Sequence, residues 1–243
     1  MRGCGTGGGS TWESRVPAAE AAVVVAIDGP AGAGKSTIAR RVAQLLGFAY
    51  LDTGAMYRAV TWRALEAGLA PDDEDAVVAL ARGLDLVLAP DGRVTVDGED
   101  VTGHLRTPAV TRAVSVVAAI PAVREVMVAH QRRFAVQRRR IVAEGRDIGT
   151  VVFPDAQVKV FLDADPAERA RRRLAETVAA GSSAPEDVAR VARDLERRDH
   201  LDRTRAVAPL VPARDARRID TTPMTPDEVV AAVRAAVQSA LST

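Results

Sequence analysis

Gly29-Pro30-Ala31-Gly32-Ala33-Gly34-Lys35-Ser36 is the stretch on which the reading of this chain turns. It fits the pattern G-x-x-x-x-G-K-[ST], in which each fixed residue has a physical task. Glycines let successive backbone N–H groups point at phosphate oxygens, and the dipole of a following helix adds positive potential. The lysine reaches β- and γ-phosphates and the hydroxyl helps ligate Mg²⁺. Gly29, Gly34, Lys35 and Ser36 fill these four roles, and the nucleotide-holding set runs from Gly29 through Thr37. A chance match in a chain of this composition is on the order of one in a thousand. The lysine is the more telling because Lys35 and Lys159 are the only two in a chain of 33 Lys and Arg.

The flanks agree with the loop. Val23 to Asp28 is a short β-branched run, and after Ser36 the apolar residues Ile38, Val42, Leu45 and Leu46 recur at helical spacing, giving strand, loop, helix. The alternation repeats with Phe48 to Leu51, the turn Asp52-Thr53-Gly54, and a helix predicted over Ala55 to Ala67. From Leu84 the period changes to two: Leu84, Leu86 and Leu88, a Pro90-Asp91-Gly92 turn, Val94 and Val96, then Asp97-Gly98 and Val101. That predicts a small antiparallel sheet. Thr107-Pro108 and Ile120-Pro121 mark two helix starts, because proline is tolerated at the first helical position. Strands follow at Ile141 to Ala143 and Val158 to Leu162, then an Arg-rich helix from Pro166 that breaks at Gly181-Ser182-Ser183. A helix over Glu186 to His200, a strand over Arg217 to Asp220 and a capping box at Thr225-Pro226-Asp227-Glu228 complete the chain. Strands separated by helices predict an α/β fold whose central parallel sheet is covered on both faces.

Composition narrows the function classes. With 243 residues, 47% hydrophobic and 27% charged, the chain has enough apolar material for one large domain. A formal net charge of +1 gives no bulk electrostatic reason for a nucleic-acid or membrane partner, so any basic patch must be local. The single Cys4 supports neither a disulfide framework nor a cysteine zinc site, and a reducing cytoplasm is the simpler setting. No apolar run approaches the ~18 residues of a membrane span. Residues 1–22 lack the apolar centre of a secretory signal and read as a flexible extension or a misassigned start. A phosphate loop alone does not separate kinases from GTPase switches or ATPase motors. A GTPase needs a base-reading N-K-x-D segment that neither lysine provides, and a motor needs a strand ending in adjacent acidic residues that is not evident. A small-molecule kinase remains.

Three further segments stand in order with the loop: Asp52-Thr53-Gly54-Ala55-Met56-Tyr57-Arg58, then Glu144-Gly145-Arg146-Asp147-Ile148-Gly149-Thr150-Val151-Val152-Phe153-Pro154-Asp155-Ala156, then Arg205-Ala206-Val207-Ala208-Pro209-Leu210. Across about residues 22–240 they resemble the signature segments of the bacterial cytidylate kinase family. The resemblance implies a nucleoside-monophosphate-kinase fold in a single kinase domain, 23–243. Its core would comprise 23–79 and 121–243, with a monophosphate-binding insertion at about 80–120 and a short lid at about 166–185. It also implies transfer of the γ-phosphoryl of ATP to CMP or dCMP with Mg²⁺, by a cytoplasmic monomer.

The residue chemistry fits an anionic acceptor. Arginine's planar fork binds phosphate bidentately, and the resemblance assigns the acceptor phosphate to Arg58, Arg146 and Arg205, with Thr53 beside them. Cytosine presents an amine donor beside acceptors, so a carboxylate should take the amine while Arg or Ser donates. The matching positions are Asp147, Arg124 and Ser115, and uracil would turn a carbonyl toward the same carboxylate. Arg198, Asp202 and Arg205 share one helix face by spacing; they are either a solvated ion-paired face or, as the resemblance implies, with Arg198 and Asp202 at the sugar. Arg169, Arg172 and Arg173 are either a charged helix surface or lid arginines for the transferring group, with Arg172 taken as catalytic beside Lys35, Arg58 and Arg146. Glu144 and Asp28 either serve Mg²⁺ through water, orient Arg146, or end strands. The histidines at 104, 130 and 200 have no partnered spacing and read as structural. Two alternatives stay open: a kinase for AMP, UMP, shikimate or gluconate, and a nucleotide-dependent switch without an acceptor.

Overall fold

β1 (Val23–Asp28) is apolar up to its last residue, Asp28, because it is covered on both faces. In the computed structural model, which describes residues 22–89, 92–179 and 187–242, Val24 and Ala26 point into one hydrophobic core and Val25 and Ile27 into another. This is the two-residue alternation of a strand. β1 pairs in parallel with β6 (Arg140–Gly145) on one side and β7 (Val158–Asp163) on the other. β2 (Ala49–Asp52) and β8 (Arg217–Asp220) flank them, so the order is β2-β6-β1-β7-β8, every pair parallel.

Helices cover both faces, as the alternation predicts. α1 (Lys35–Leu46) and α8 (Pro226–Leu241) bury Ile38, Val42, Val229 and Val233 against Val25 and Ile27. Thr225 and Glu228 form the expected capping box at the start of α8. On the other face lie α2 (Thr53–Glu66), α4 (Pro108–Val117) and α5 (Pro121–Arg138), the last two opening on proline as read. A second sheet, β3 (Leu86–Leu88), β4 (Val94–Val96) and β5 (Glu99–Asp100), is antiparallel and packs Val94 and Val96 into the same core as α2. Pro90 and Asp91 of its expected turn lie outside the described residues, as do 1–21 and Gly181-Ser182-Ser183.

Three elements differ from the sequence reading. α3 (Glu74–Gly83) was not anticipated; Asp73 caps it by accepting from the Ala76 N–H at 3.2 Å, and only Val77 and Ala81 of its face are buried. Its apolar residues run unbroken from Ala76 to Ala81, so no helical period stands out along the sequence. α2 starts at Thr53 rather than Ala55, because the Asp52 carboxylate accepts from the Ala55 N–H at 2.9 Å and so caps the helix two residues early. α7 (Val188–Thr204) runs past His200, which carries Asp202 in helical geometry and leaves Arg205 at the C-cap. α6 (Pro166–Ala179) begins where predicted.

Parallel pairing fixes where chemistry can happen. Register sets Asp28 opposite Gly145 and Glu144 opposite Asp52, so the carboxyl ends of β1, β6 and β2 lie side by side. The loops leaving them share one crevice.

Candidate active site

The loop after β1 needs its glycines for space as well as direction. A Cβ on Gly29 would lie 2.1 Å from the Leu162 carbonyl oxygen, and Gly34 caps α1 from the left-handed region at φ 84. The apex is held from outside. Asp199 accepts the Ala31 N–H at 3.0 Å and ion-pairs with Arg169, while Arg169 donates to the Ala31 carbonyl at 2.9 Å and the Ala164 carbonyl at 3.1 Å. Lys35, buried, donates from Nζ to the Pro30 carbonyl at 2.7 Å. Burial, then Arg146, pulls its ammonium down to about 7 against the pull of Glu144 and Asp199. Glu144 is buried beside it, accepts a hydrogen bond from the Tyr50 hydroxyl and contacts Ser36. Burial and then Asp52 push its carboxyl up.

Across the crevice stand the residues expected at an acceptor. Arg58, in the second turn of α2, donates to the Leu105 carbonyl and Thr111 Oγ1, both at 3.1 Å. Thr53 donates to the Glu144 carbonyl at 2.7 Å. Arg146 donates from Nε to Asp202 at 2.8 Å; burial opposes its charge, but Asp202 outweighs that and holds it above the ordinary range. Arg205 is locked by donating from Nε to the Ala208 carbonyl at 2.6 Å, a turn that keeps Ala208 at φ 53. Asp147 accepts from Arg124 through Oδ2 and lies 3.4 Å from Arg205 through Oδ1. Arg124 also donates to the Ala118 carbonyl at 3.1 Å and lies 5.3 Å from the centre of the Tyr57 ring. Ser115, buried on α4, lines the same crevice.

Lys35, Ser36, Thr37, Arg58, Ser115, Arg124, Arg146, Asp147, Arg198, Asp202 and Arg205 therefore border one cleft of about 980 Å³, near the upper end of small-ligand sites. Basic side chains around it outnumber acidic ones by about two to one, although the whole chain carries only +1. Burial, then Arg198 and Arg106, presses Arg58 down to about 9, and burial, then Arg146, presses Arg198 down to about 10. Arg198 Nε is buried without a hydrogen-bond partner. These guanidiniums are held in place with too little negative charge around them, which suits a polyanionic ligand.

The three α6 arginines separate. Arg169 holds the loop, and Arg173 borders the cleft, paired with Glu176 at 3.1 Å. Arg172, expected at the transferring group, reaches the phosphate loop, its Nη1 3.9 Å from where a Cβ on Gly34 would stand, and its guanidinium is bound by Glu168 at 2.7 Å, Thr221 Oγ1 at 2.9 Å and the Thr221 carbonyl at 2.7 Å. Helix phase turns it toward the segment after β8, a direction that spacing alone does not give. The Asp28 carboxylate is taken by backbone N–H groups of Ile148 and Gly149, both at 2.8 Å. His104 stacks on Trp62 with ring centres 5.9 Å apart.

Asp199, Tyr50 and Tyr57 were missed as site residues. Asp199 follows Arg198 directly and reaches the Ala31 N–H; its only sequence signal is an acidic residue at i+4 and i+8 from the apolar Leu195 and Val191 of the same helix. Among the described residues no group of three or more His, Cys, Asp or Glu is placed to hold a metal ion alone.

A family model described as cytidylate kinase matches residues 25–239. The chain is 48% identical over 224 residues to the cytidylate kinase of Nocardia farcinica (strain IFM 10152), covering 91% of this chain and 96% of that one. It is 53% identical over 212 residues to a bifunctional pantoate ligase/cytidylate kinase of Synechocystis sp., covering 85% of this chain and spanning only 41% of that longer protein. A solved structure of an uncharacterized protein from Eubacterium ventriosum ATCC 27560 shares the fold at TM-score 0.50 and 9% identity, covering 89% of this chain and 99% of that one.

Proposed function

Since the chain belongs to the cytidylate kinase family, we propose that it transfers the γ-phosphoryl group of ATP to CMP or dCMP, giving CDP or dCDP. The observation that carries this reading is that the loop of Lys35 and the buried Ser115–Arg124–Asp147 set border one basic cleft. A donor cradle and a cytosine-reading constellation face each other with arginines between them.

Backbone N–H groups of the Gly29–Thr37 loop, other than at Pro30, which has none, and Ala31, whose N–H goes to Asp199, hold the donor phosphates, and Lys35 leaves the Pro30 carbonyl to meet them. Mg²⁺ would supply neutralisation of the developing charge, held by Ser36 and, through water, by Glu144. Arg58, Arg146 and Arg205 hold the acceptor phosphate in line, each oriented by a bond to the protein and therefore positioned before the substrate arrives. Asp147 takes the cytosine amine, while Arg124 and Ser115 donate to the ring acceptors. Arg198 and Asp202 face the sugar. Arg172, beside Gly34 of the loop, and Arg173, at the cleft, are the α6 arginines that would follow the transferring group, Arg172 by exchanging its bonds to Thr221 for the phosphoryl oxygens. Positioning and charge neutralisation suffice for such a transfer, and no covalent enzyme intermediate is needed.

The small sheet and α4 form the acceptor-side insertion at about 80–120, and α6 opens the lid at about 166–185. No single helix among the described residues is long and apolar enough to cross a membrane. We place the enzyme in the cytoplasm as a monomer, without nucleic-acid or membrane partners. A coupled ADP-release assay with CMP, dCMP, UMP and AMP tests the reading: CMP or dCMP should turn over fastest. Fastest turnover with AMP or UMP, or none with any of the four, overturns it.

A further inference from the structure

Asp28 is the last residue of β1, adjoining Gly29 of the phosphate loop, yet its carboxylate does not border the cleft. It points along the sheet to the segment after β6. There Oδ1 accepts the Ile148 N–H and Oδ2 the Gly149 N–H, both at 2.8 Å and across 120 residues or more of chain. Those two amides open a single wide helical turn, Ile148–Val152, in which the Asp147 carbonyl accepts from Val151 at 2.9 Å and Val152 at 3.1 Å. The first N–H groups of any helical turn have no partner inside it and need one from elsewhere. Here a residue from another strand supplies both. The carbonyls at the far end are held in turn by Arg132, which donates to Val151 and Val152 at 2.9 Å each. The turn is thus fastened at both ends, and Asp147 sits at its entrance.

Burial pushes the Asp28 carboxyl up to about 6, against the two backbone N–H bonds. The charged groups that face it are Asp147, which raises it further, and Lys35, which lowers it. A buried carboxylate that costly is retained where its bonds do something a neutral residue would not.

We infer that Asp28 is a positioning residue for the acceptor base: it ties the strand end that launches the phosphate loop to the turn that aims Asp147. The donor cradle and the base-reading carboxylate are therefore mechanically one unit. This rests on the assignment of Asp147 to the cytosine amine.

The test is Asp28→Asn, assayed beside the wild-type enzyme and Asp147→Asn with ATP, CMP and UMP. Asparagine has nearly the same shape but presents an NH₂ to one of the two amides, so one bond to a charged acceptor is lost. The expected result is a KM for CMP raised about tenfold and a CMP-over-UMP preference reduced by a similar factor. The KM for ATP should stay within about twofold, because both hydrogen bonds of Asp28 go to the acceptor-side turn and Lys35 feels its charge only through space. Hydrogen exchange at the Ile148 and Gly149 amides should speed up. Generic damage would instead lower kcat through a smaller active fraction and leave both KM values and the preference in place. An unchanged CMP KM and preference in folded Asp28→Asn overturns the inference alone. A wild-type enzyme inactive on CMP, or an unchanged preference in Asp147→Asn, overturns the acceptor reading and this inference with it. Should Asp28→Asn fail to fold, Gly149→Ala decides. Its new Cβ would lie 3.2 Å from the Lys159 methylenes, closer than ordinary contact, and 3.5 Å from Asp28 Oδ2, so it presses on the turn at the amide that Asp28 holds. A raised CMP KM with ATP unaffected supports the inference, and an unchanged CMP KM refutes it.

Discussion

Asp147→Asn separates base reading from everything else the cleft does. The carboxylate is buried between two guanidiniums, those of Arg124 and Arg205, whose side chains are only 4% and 5% exposed. The amide keeps the size of the side chain and leaves the backbone that opens the Ile148–Val152 turn untouched. Two losses follow. A hydrogen bond to a charged acceptor contributes about 1.5–3 kcal/mol, so the CMP-over-UMP ratio of kcat/KM should fall by about ten- to a hundredfold. Breaking a buried ion pair costs about 3–5 kcal/mol when one partner is removed, and an amide that keeps a hydrogen bond should sit near the lower end. For a chain of this length that lowers the melting temperature by roughly 6–12 °C. The assay is steady-state ADP release with CMP and UMP at a temperature where both proteins are folded, with the KM for ATP as the internal control. ATP binding should hardly move, because no donor-side residue bonds to Asp147. If the variant keeps its preference for CMP, or loses ATP affinity as much as CMP affinity, Asp147 does not read the base.

Asp199→Asn should act on the opposite half: with the Ala31 N–H and Arg169 losing a charged partner, we expect a melting temperature lower by several degrees. The KM for ATP should rise severalfold and the KM for CMP should not change; a rise confined to CMP would contradict the role given to the loop clamp. Lys35 gives a proton signature. With its ammonium drawn down to about 7 by burial and Arg146, the free enzyme at pH 8 holds it mostly neutral, and bound triphosphate favours the charged form. ATP binding at pH 8 should therefore take up a proton, measured by calorimetry in buffers of different ionisation enthalpy, and the uptake should vanish below about pH 6. The same shift sets a stability trend. The unfolded chain protonates this lysine up to about 10.4 and the folded chain only to about 7, so between those values the lysine favours folding more as pH rises. Absence of uptake at pH 8 would show that the lysine is already charged before ATP arrives.

The sequence alone determined the elements whose cause is local. A β-branched run against a glycine-rich turn announces β1 and its loop. Prolines at 108 and 121 start two helices, Thr225 and Glu228 cap another, and the period-two valines at 94 and 96 make the small sheet. Phosphate-binding chemistry was legible for the same reason: the loop's donors are its own backbone. Only the tertiary structure decided how α6 distributes its arginines, sending Arg169 to Asp199, Arg172 to Thr221 and Arg173 to the cleft. It alone decided that Asp28 reaches Ile148 and Gly149, that Arg124 lies over Tyr57, and that the basic groups of a nearly neutral chain collect around one crevice. Each of these joins residues far apart in the chain through the register of parallel strands and the rotation of a helix about its axis. Neither quantity is encoded by neighbours along the sequence; both are set when the two cores close on the sheet.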